Sequence, residues 1–450
     1  MAKQVELPPK YTLPAKWTWD ELGKYSNLLS GYPFKSSMFS TDSSDASLPV
    51  VRIRDVMNGF SSTFTAENCP SEYRIHNGNI LIGMDGDFNI NKWKSGDALL
   101  NQRVCLLKID ASSHVLENYV YYYLPIALKY INDNTPSVTV KHLSVKTLKE
   151  IPIPLPPLPE QQRIVSRIES LFAKLDAARD KLQQVLDTQE ARRAAILHEA
   201  FTGRLTGHKG SEEGREKREE GSSQHPEGTA FVPEGWKATS AKELFQYVTS
   251  GSRGWAKYYA DDGALFIRMG NLKHGTIQPD FTDKQYVQLP DKTEGQRSLV
   301  QDHDILISIT ADVGMIGYIE HIGQEAYINQ HIALARPAYP EQGKFIAWYL
   351  VSDIGFQQLK RKQRGATKVG LGLNDIRNLV LYMPPIEEQN MIIHKIEMLL
   401  DNEKTIHDIA QSTLSRIDLL KKSILARAFR GQLGTQDPSD PDARDLLTSD

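Results

Sequence analysis

The sequence predicts a mixed α/β (α+β) protein: two globular domains separated by an antiparallel two-helix coiled coil and related by a pseudo-two-fold internal repeat. Three observations carry this expectation. LPPLPEQQRIVSRIESLF, beginning at Leu155, recurs as MPPIEEQNMIIHKIEMLL, beginning at Met383. Each copy continues as a long helical apolar pattern that stops near a glycine, Gly203 or Gly431. Each copy is also preceded by a divergent stretch in which short strand-like runs alternate with helical ones.

In chain order, the first domain is placed at residues 1–157. GNILIG and RVCLLK read as strands and ENYVYYYLPIALKYI reads as a helix. A helix is expected over 158–207. Its prolines end just before the apolar pattern, Glu160 sits where the helix dipole favours negative charge, and Gly203 is a natural stop. Apolar or small residues at Ile164, Ile168, Leu171, Leu175, Ala178, Leu182 and Val185 alternate in steps of four and three, the spacing of a heptad seam. The linker 208–230, HKGSEEGREKREEGSSQHPEGTA, is polar and charged, a composition that predicts flexibility.

The second domain spans 231–385, with DILISI and HIALARP as strands and GKFIAWYLVSDIGFQQLKRK as helix. The second long helix is expected over 386–434, with its seam at Ile392, Ile396, Leu399, Ile406 and Ala410. Glu403 interrupts that seam, which resumes at Leu414, Ile417, Leu420 and Ile424. The tail 435–450 is expected to be disordered.

The repeat is in ungapped register: Leu155 and Met383, Glu160 and Glu388, Gln161 and Gln389, Phe201 and Phe429 all differ by 228 positions. Asn101-Gln102 and Asn329-Gln330 keep the same offset, which favours a structural role for them over base reading. Each seam needs a partner, either the other copy or its own domain. Paired with each other, two helices of about 40 residues would form rods of roughly 60 Å.

Composition bounds the function. A chain of 450 residues exceeds one ordinary core, and 40% apolar with 24% charged residues is that of a soluble globular protein. No apolar run approaches the roughly 20 residues of a spanning helix. MAKQVELPPKYTLPAK lacks the core of a signal peptide, so a cytoplasmic location without membrane contact is expected. Cys69 and Cys105 alone provide neither a disulfide framework nor a zinc cluster. P-loop, HExxH, nucleophile-elbow and dinucleotide signatures are absent, so no catalytic residue, metal or cofactor is assigned to the chain. The net charge of −3 requires any nucleic-acid face to be local.

Two basic stretches qualify as such a face. In LKRKQRGATK, Lys360, Lys362, Arg364 and Lys368 crowd around Gly365, either as a phosphate-facing loop or as a solvated helix end. In NINKWKSGD, Lys92 and Lys94 flank Trp93, either as a nucleic-acid contact or as a charged hairpin tip. Lys141, beside the polar Asn132, Asn134 and Thr135, is the copy-one counterpart of the first stretch. Arg268, which matches Arg52 and Arg54, completes the set of candidate DNA-binding residues.

With both divergent domains followed by the double-proline E-Q junction, a long helix and an ending like SILARAFRGQL, nearly the whole chain resembles the specificity subunit of type I restriction–modification systems. The resemblance implies a non-catalytic subunit with two target recognition domains, each reading one half of a split DNA site. It also implies two modification subunits that dock on the helices and methylate adenine N6. S-adenosylmethionine is then held by those subunits, and ATP and magnesium serve the partner subunits, among them the restriction subunits with translocase and nuclease activity. A coiled-coil scaffold that binds only proteins is the alternative.

Overall fold

In the computed structural model, which describes residues 6–43, 47–135, 141–207, 233–251, 253–290, 296–364 and 370–447, GNILIG and RVCLLK form the paired strands Ile80–Gly83 and Val104–Ile109, with Ile82 opposite Cys105. They are the centre of an antiparallel sheet in the order Ser26–Ser30, Val104–Ile109, Ile80–Gly83, Ile90–Lys92. Both faces of Ile80–Gly83 are covered, which is why it reads as a continuous apolar run rather than an alternating one. A second sheet runs Phe64–Thr65, Leu48–Val51, Ala98–Leu100, Arg74–Ile75 and contains one parallel pair, Val50 beside Leu99. Thr18–Glu21 and Pro152–Leu155 pair separately, bringing the domain's start to the junction.

The chain divides into two compact units, Met1–Lys181 with Thr413–Asp450, and Leu182–Ser412. The second unit repeats the strand order of the first. Its antiparallel sheet is Phe245–Ser250, Ile332–Pro337, Ile305–Ser308, Ile316–Tyr318, and Lys237–Ser240 pairs with Val380–Met383. In its other sheet Ala264–Ile267 runs parallel to Ala326–Ile328, as Leu48–Val51 does to Ala98–Leu100. The copies differ at the sheet edges. Tyr259–Ala260 adds an edge strand in the second unit, where only a Leu299–Tyr327 bridge stands in the place of Arg74–Ile75.

The helix Glu117–Asn134 buries Tyr119, Tyr123, Leu124, Ala127, Leu128 and Ile131 against the first unit's core. Its counterpart is split at Ser352 into Gly343–Val351 and Asp353–Arg361. A Cβ on Gly355 would lie 2.1 Å from the Tyr349 carbonyl oxygen, so the turn after Ser352 closes more tightly than a side chain allows.

The repeated E-Q pair is a clamp. Buried Glu160 accepts from Trp17 Nε1 at 2.8 Å and Thr435 Oγ1 at 3.2 Å. Gln161 donates to the His114 and Pro156 carbonyls at 3.0 Å each and accepts from Leu116 N at 2.8 Å. In the second unit Glu388 accepts from Thr206 Oγ1 at 2.7 Å and Trp236 Nε1 at 3.3 Å, and Gln389 donates to the Pro384 carbonyl at 2.8 Å. Each junction thereby ties domain start, strand end and helix start into one core, which also takes in Ile164, Val165 and Ile168, or Ile392, Ile393 and Ile396.

The long helices contact each other within both units, on a seam that keeps one expected column, Ile168, Leu175 and Leu182 with Ile396, Ala410, Ile417 and Ile424, and shifts the other by one position. Covered positions fall on two heptad columns: Gln161, Ile168, Leu175, Leu182, Gln189, Ile196 and Val165, Phe172, Arg179, Leu186, Arg193, Ala200. The second helix repeats them as Gln389, Ile396, Glu403, Ala410, Ile417, Ile424 and Ile393, Leu400, His407, Leu414, Lys421, Ala428. Leu171 and Leu399 are half-buried one place off the columns, while Ile406 and Leu420 are 42% and 50% exposed and do not belong to the seam. The shift arises because long polar side chains hold column positions, burying their stems and pairing their heads. Arg179 pairs with Asp418, and Lys421 reaches Asp176 at 2.5 Å and lies 5.0 Å from the Phe172 ring centre. Glu403, expected as an interruption, lies in the seam and receives Arg192 through Nε and Nη2 at 2.8–3.0 Å.

The first helix is not continuous. It runs Leu158–Asp187 and resumes as Gln189–Phe201, whereas Ile386–Ala428 is unbroken. At the break Thr188 Oγ1 donates back to the Gln184 carbonyl at 2.7 Å and Arg192 Nη1 donates to the Val185 carbonyl at 3.0 Å. Gly203 and Gly431 end the helices in the left-handed region, at φ 76° and 70°.

The expected linker, 208–230, lies outside the described residues. The tail does not match its expectation of disorder through Leu447: Thr435 and Asp440 are buried, and Ala443–Leu447 is helical. Composition misleads here because the polar groups are spent on specific partners. Arg163 donates to the Thr435 carbonyl at 2.9 Å and pairs with Asp440, and Ala443 N donates to the Lys16 carbonyl at 3.1 Å. No helix among the described residues is long and apolar enough to cross a membrane.

Candidate nucleic-acid interface

Four of the eight candidate cations, Lys92, Lys141, Arg268 and Arg364, are committed to the fold. Lys92 lies on the strand Ile90–Lys92 opposite Ile80, donates to Asn118 Oδ1 at 2.5 Å and sits 5.3 Å from the Tyr121 ring centre. Trp93 is buried and donates its indole N–H to the Gly96 carbonyl at 2.8 Å. Lys94 is exposed, with its stem beside Gly59. Lys141 donates to the Asn132 carbonyl at 2.5 Å and to Oδ1 at 3.1 Å, satisfying the end of the helix Glu117–Asn134. Asn132, Asn134 and Thr135 likewise bond to nearby carbonyls rather than facing outward as a set.

In the second unit Arg268 pairs with Asp283 at 2.7 Å, and its backbone N–H donates to Asn271 Oδ1. Arg52 N donates to Asp55 Oδ2 in the same way, so this arginine position opens a capped turn in both copies. Arg364 reaches Asp375 at 2.9 Å, and its backbone exchanges hydrogen bonds with Gly370. Lys360 is exposed at the C-terminal end of Asp353–Arg361, where the helix dipole favours a cation, and Lys362 caps it half-buried. Lys368 lies outside the described residues.

Outside that set Lys35, Arg253 and Lys257 are exposed, as are other cations without an ion pair among the described residues, such as Lys108, Lys237 and Lys284; what sets the three apart is their place in two loops at matching points of the repeat. The signal that could have found them is cations interleaved with aromatics, YPFK in one copy and RGWAKYY in the other. The second long helix also presents Met391, Met398 and Ile406 to solvent, an apolar surface off its heptad columns. Among the described residues no cluster of His, Cys, Asp and Glu could hold a metal ion.

A family model described as the type I restriction modification DNA specificity domain matches residues 16–187 and again 233–412. The type I restriction enzyme EcoBI specificity subunit of Escherichia coli is 32% identical over 426 residues, covering 93% of this chain and 87% of that one. Among solved structures, the HsdS subunit from Thermoanaerobacter tengcongensis superposes with a TM-score of 0.59 at 19% identity, over 94% of this chain and 99% of that one. A chain from a study of complex assembly and conformational transition of the type I R-M system gives 0.61 at 18% identity, over 94% and 100%.

Proposed function

Since the chain belongs to the type I restriction–modification DNA specificity family, we propose that each of its two recognition domains reads one half of a bipartite, asymmetric DNA site, and that its matched helices each seat one adenine-N6 methyltransferase subunit. A specificity subunit is itself non-catalytic; S-adenosylmethionine, ATP and magnesium belong to the modification and restriction subunits. Double-stranded DNA, two modification subunits and restriction subunits are the partners this reading requires, in the cytoplasm.

The observation that carries the proposal is the contrast inside the repeat. Both junctions use the same Glu-Gln clamp and both helices the same two heptad columns, so both offer one kind of partner the same backbone seat. The loops of the two domains carry different side chains, as two different half-sites require. Exposed Met391, Met398 and Ile406 are candidates for the modification subunit's contact on the second helix. Flipping of the target adenine then falls to the partner's pocket.

Methylome sequencing of cells that express this chain with its modification subunit tests the reading. One bipartite motif with methylated adenines is expected, and exchange of residues 231–385 for the matching domain of a relative should change one half of it only. Methylation of a continuous motif, or a change in both halves, would contradict the proposal.

A further inference from the structure

Two loops, at matching points of the repeat, hold exposed cations beside exposed apolar side chains. Each follows a glycine pressed against the Asn-Gln turn. A Cβ on Gly31 would lie 2.1 Å from the Asn101 carbonyl oxygen, and one on Gly251 2.1 Å from that of Ile328 and 2.2 Å from that of Asn329. This close approach to backbone carbonyls accounts for a glycine at both points. Beyond the glycine the copies diverge, yet each buries one aromatic side chain in a small cluster of its own.

In the first unit Phe34 packs with Val50 and Leu99, its ring 4.9 Å from that of Tyr32. In the second, Trp255 packs with Phe266, Val287 and Tyr327; it stacks on Phe266 at 5.6 Å and meets Tyr327 edge-on at 5.3 Å. An aromatic fixed in mid-loop turns its neighbours outward. Lys35 and Met38 are exposed in one loop, and Arg253, Lys257 and Tyr259 in the other, with Met38 at 53% and Tyr259 at 44%. Lys257 Nζ lies 4.8 Å from the Tyr258 ring centre rather than beside a carboxylate. Glu67 accepts from Lys35 N in the first loop, and Asp262, just past the second, accepts from Gln288 Nε2.

We propose that these two loops are the duplex-reading surfaces of their domains. Lys35, Arg253 and Lys257 bind phosphates or guanine edges, and Met38 and Tyr259 pack on base edges such as the thymine methyl group. The chemistry follows from the side chains. Unpaired cations select a polyanion, and an apolar side chain held among them by a rigid anchor discriminates between base edges that a charge cannot distinguish. The inference rests on the reading of the chain as a DNA specificity subunit and assigns that reading to specific residues.

The test uses the full chain assembled with its modification subunits. Arg253→Ala combined with Lys257→Ala should lower the slope of log affinity against log salt by about 1.8, the loss of two phosphate contacts. Tyr259→Ala should relax one base position in the half-site read by the second domain, by roughly 5- to 150-fold in discrimination. Lys35→Ala combined with Met38→Ala should alter only the other half-site. The unaltered half-site in each variant reports that the complex is folded and assembled. If the wild-type complex methylates no bipartite motif, the functional reading and the loop assignment both fall. If its motif is bipartite and every loop variant keeps the wild-type salt slope and both half-sites, the loop assignment alone is overturned.

Discussion

Glu160 is a buried carboxylate whose partners come from near the two ends of the chain, Trp17 and Thr435. Burial pushes its carboxyl above the ordinary value of 4.5, against the hydrogen bonds that lower it. The folded protein therefore holds this proton more tightly than the unfolded chain does. Glu160 contributes stability that is present in acid and lost as the pH rises from 4.5 through the raised value. Glu160→Gln removes that slope, so unfolding free energies measured from about pH 4 to 7 should shift in the variant's favour as the pH rises; a difference independent of pH would contradict this. At this scale the sequence was only partly legible. Glu160 and Glu388 stood out by repetition, but as dipole partners at a helix start rather than acceptors for an indole and a hydroxyl. The candidate cations Lys92, Lys141, Arg268 and Arg364 were chosen by local charge, by a neighbouring aromatic or by their place in the repeat, none of which reveals that Asn118, Asn132, Asp283 and Asp375 already engage them.

The long helices were legible as elements and misread in the phase of one column. Their apolar residues alternate in steps of four and three along either of two adjacent registers, and apolarity alone cannot choose between Leu171 with Leu399 and Phe172 with Leu400. What settles the phase is the set of polar residues that share the seam, above all Arg192 facing Glu403. Replacing Glu403 by Leu alone should destabilise the protein, by less than the loss of one partner from a fully buried pair, because a third of the Arg192 side chain keeps its solvent. Arg192→Leu with Glu403→Leu should recover most of that loss by closing the columns with apolar contact. Chemical denaturation of the two single variants and the double variant measures the coupling; additive losses would show that the pair does not act as a unit. The break at Thr188 was not legible, since a threonine inside a helical pattern is common and its effect depends on Arg192 taking the Val185 carbonyl.

At the scale of the whole molecule the duplication was legible because an ungapped offset of 228 positions survives in the junctions, and the two strand orders follow it. The tail was not, because its composition resembles that of disordered chains while its contacts lie some 270 or more residues away in sequence, as between Arg163 and Thr435. Truncation after Gly434 should therefore cost roughly 5 kcal/mol, at about 1 kcal/mol for each of the five hydrogen bonds that join Thr435, Asp440 and Ala443 to Glu160, Arg163 and Lys16. Hydrogen exchange should show protection lost in Trp17–Leu22 and around Arg163 and kept in Ile305–Ser308; equal loss in both would refute a local role for the tail. The discontinuity of the first unit also orders events during synthesis. Leu182–Ser412 is one uninterrupted stretch and can fold while the ribosome is still translating, but Met1–Lys181 must wait for Thr413–Leu447 to emerge before its core is closed. The unit begun first is completed last, so a chain interrupted just after Ser412 carries the second unit's core formed and the first unit's core still open.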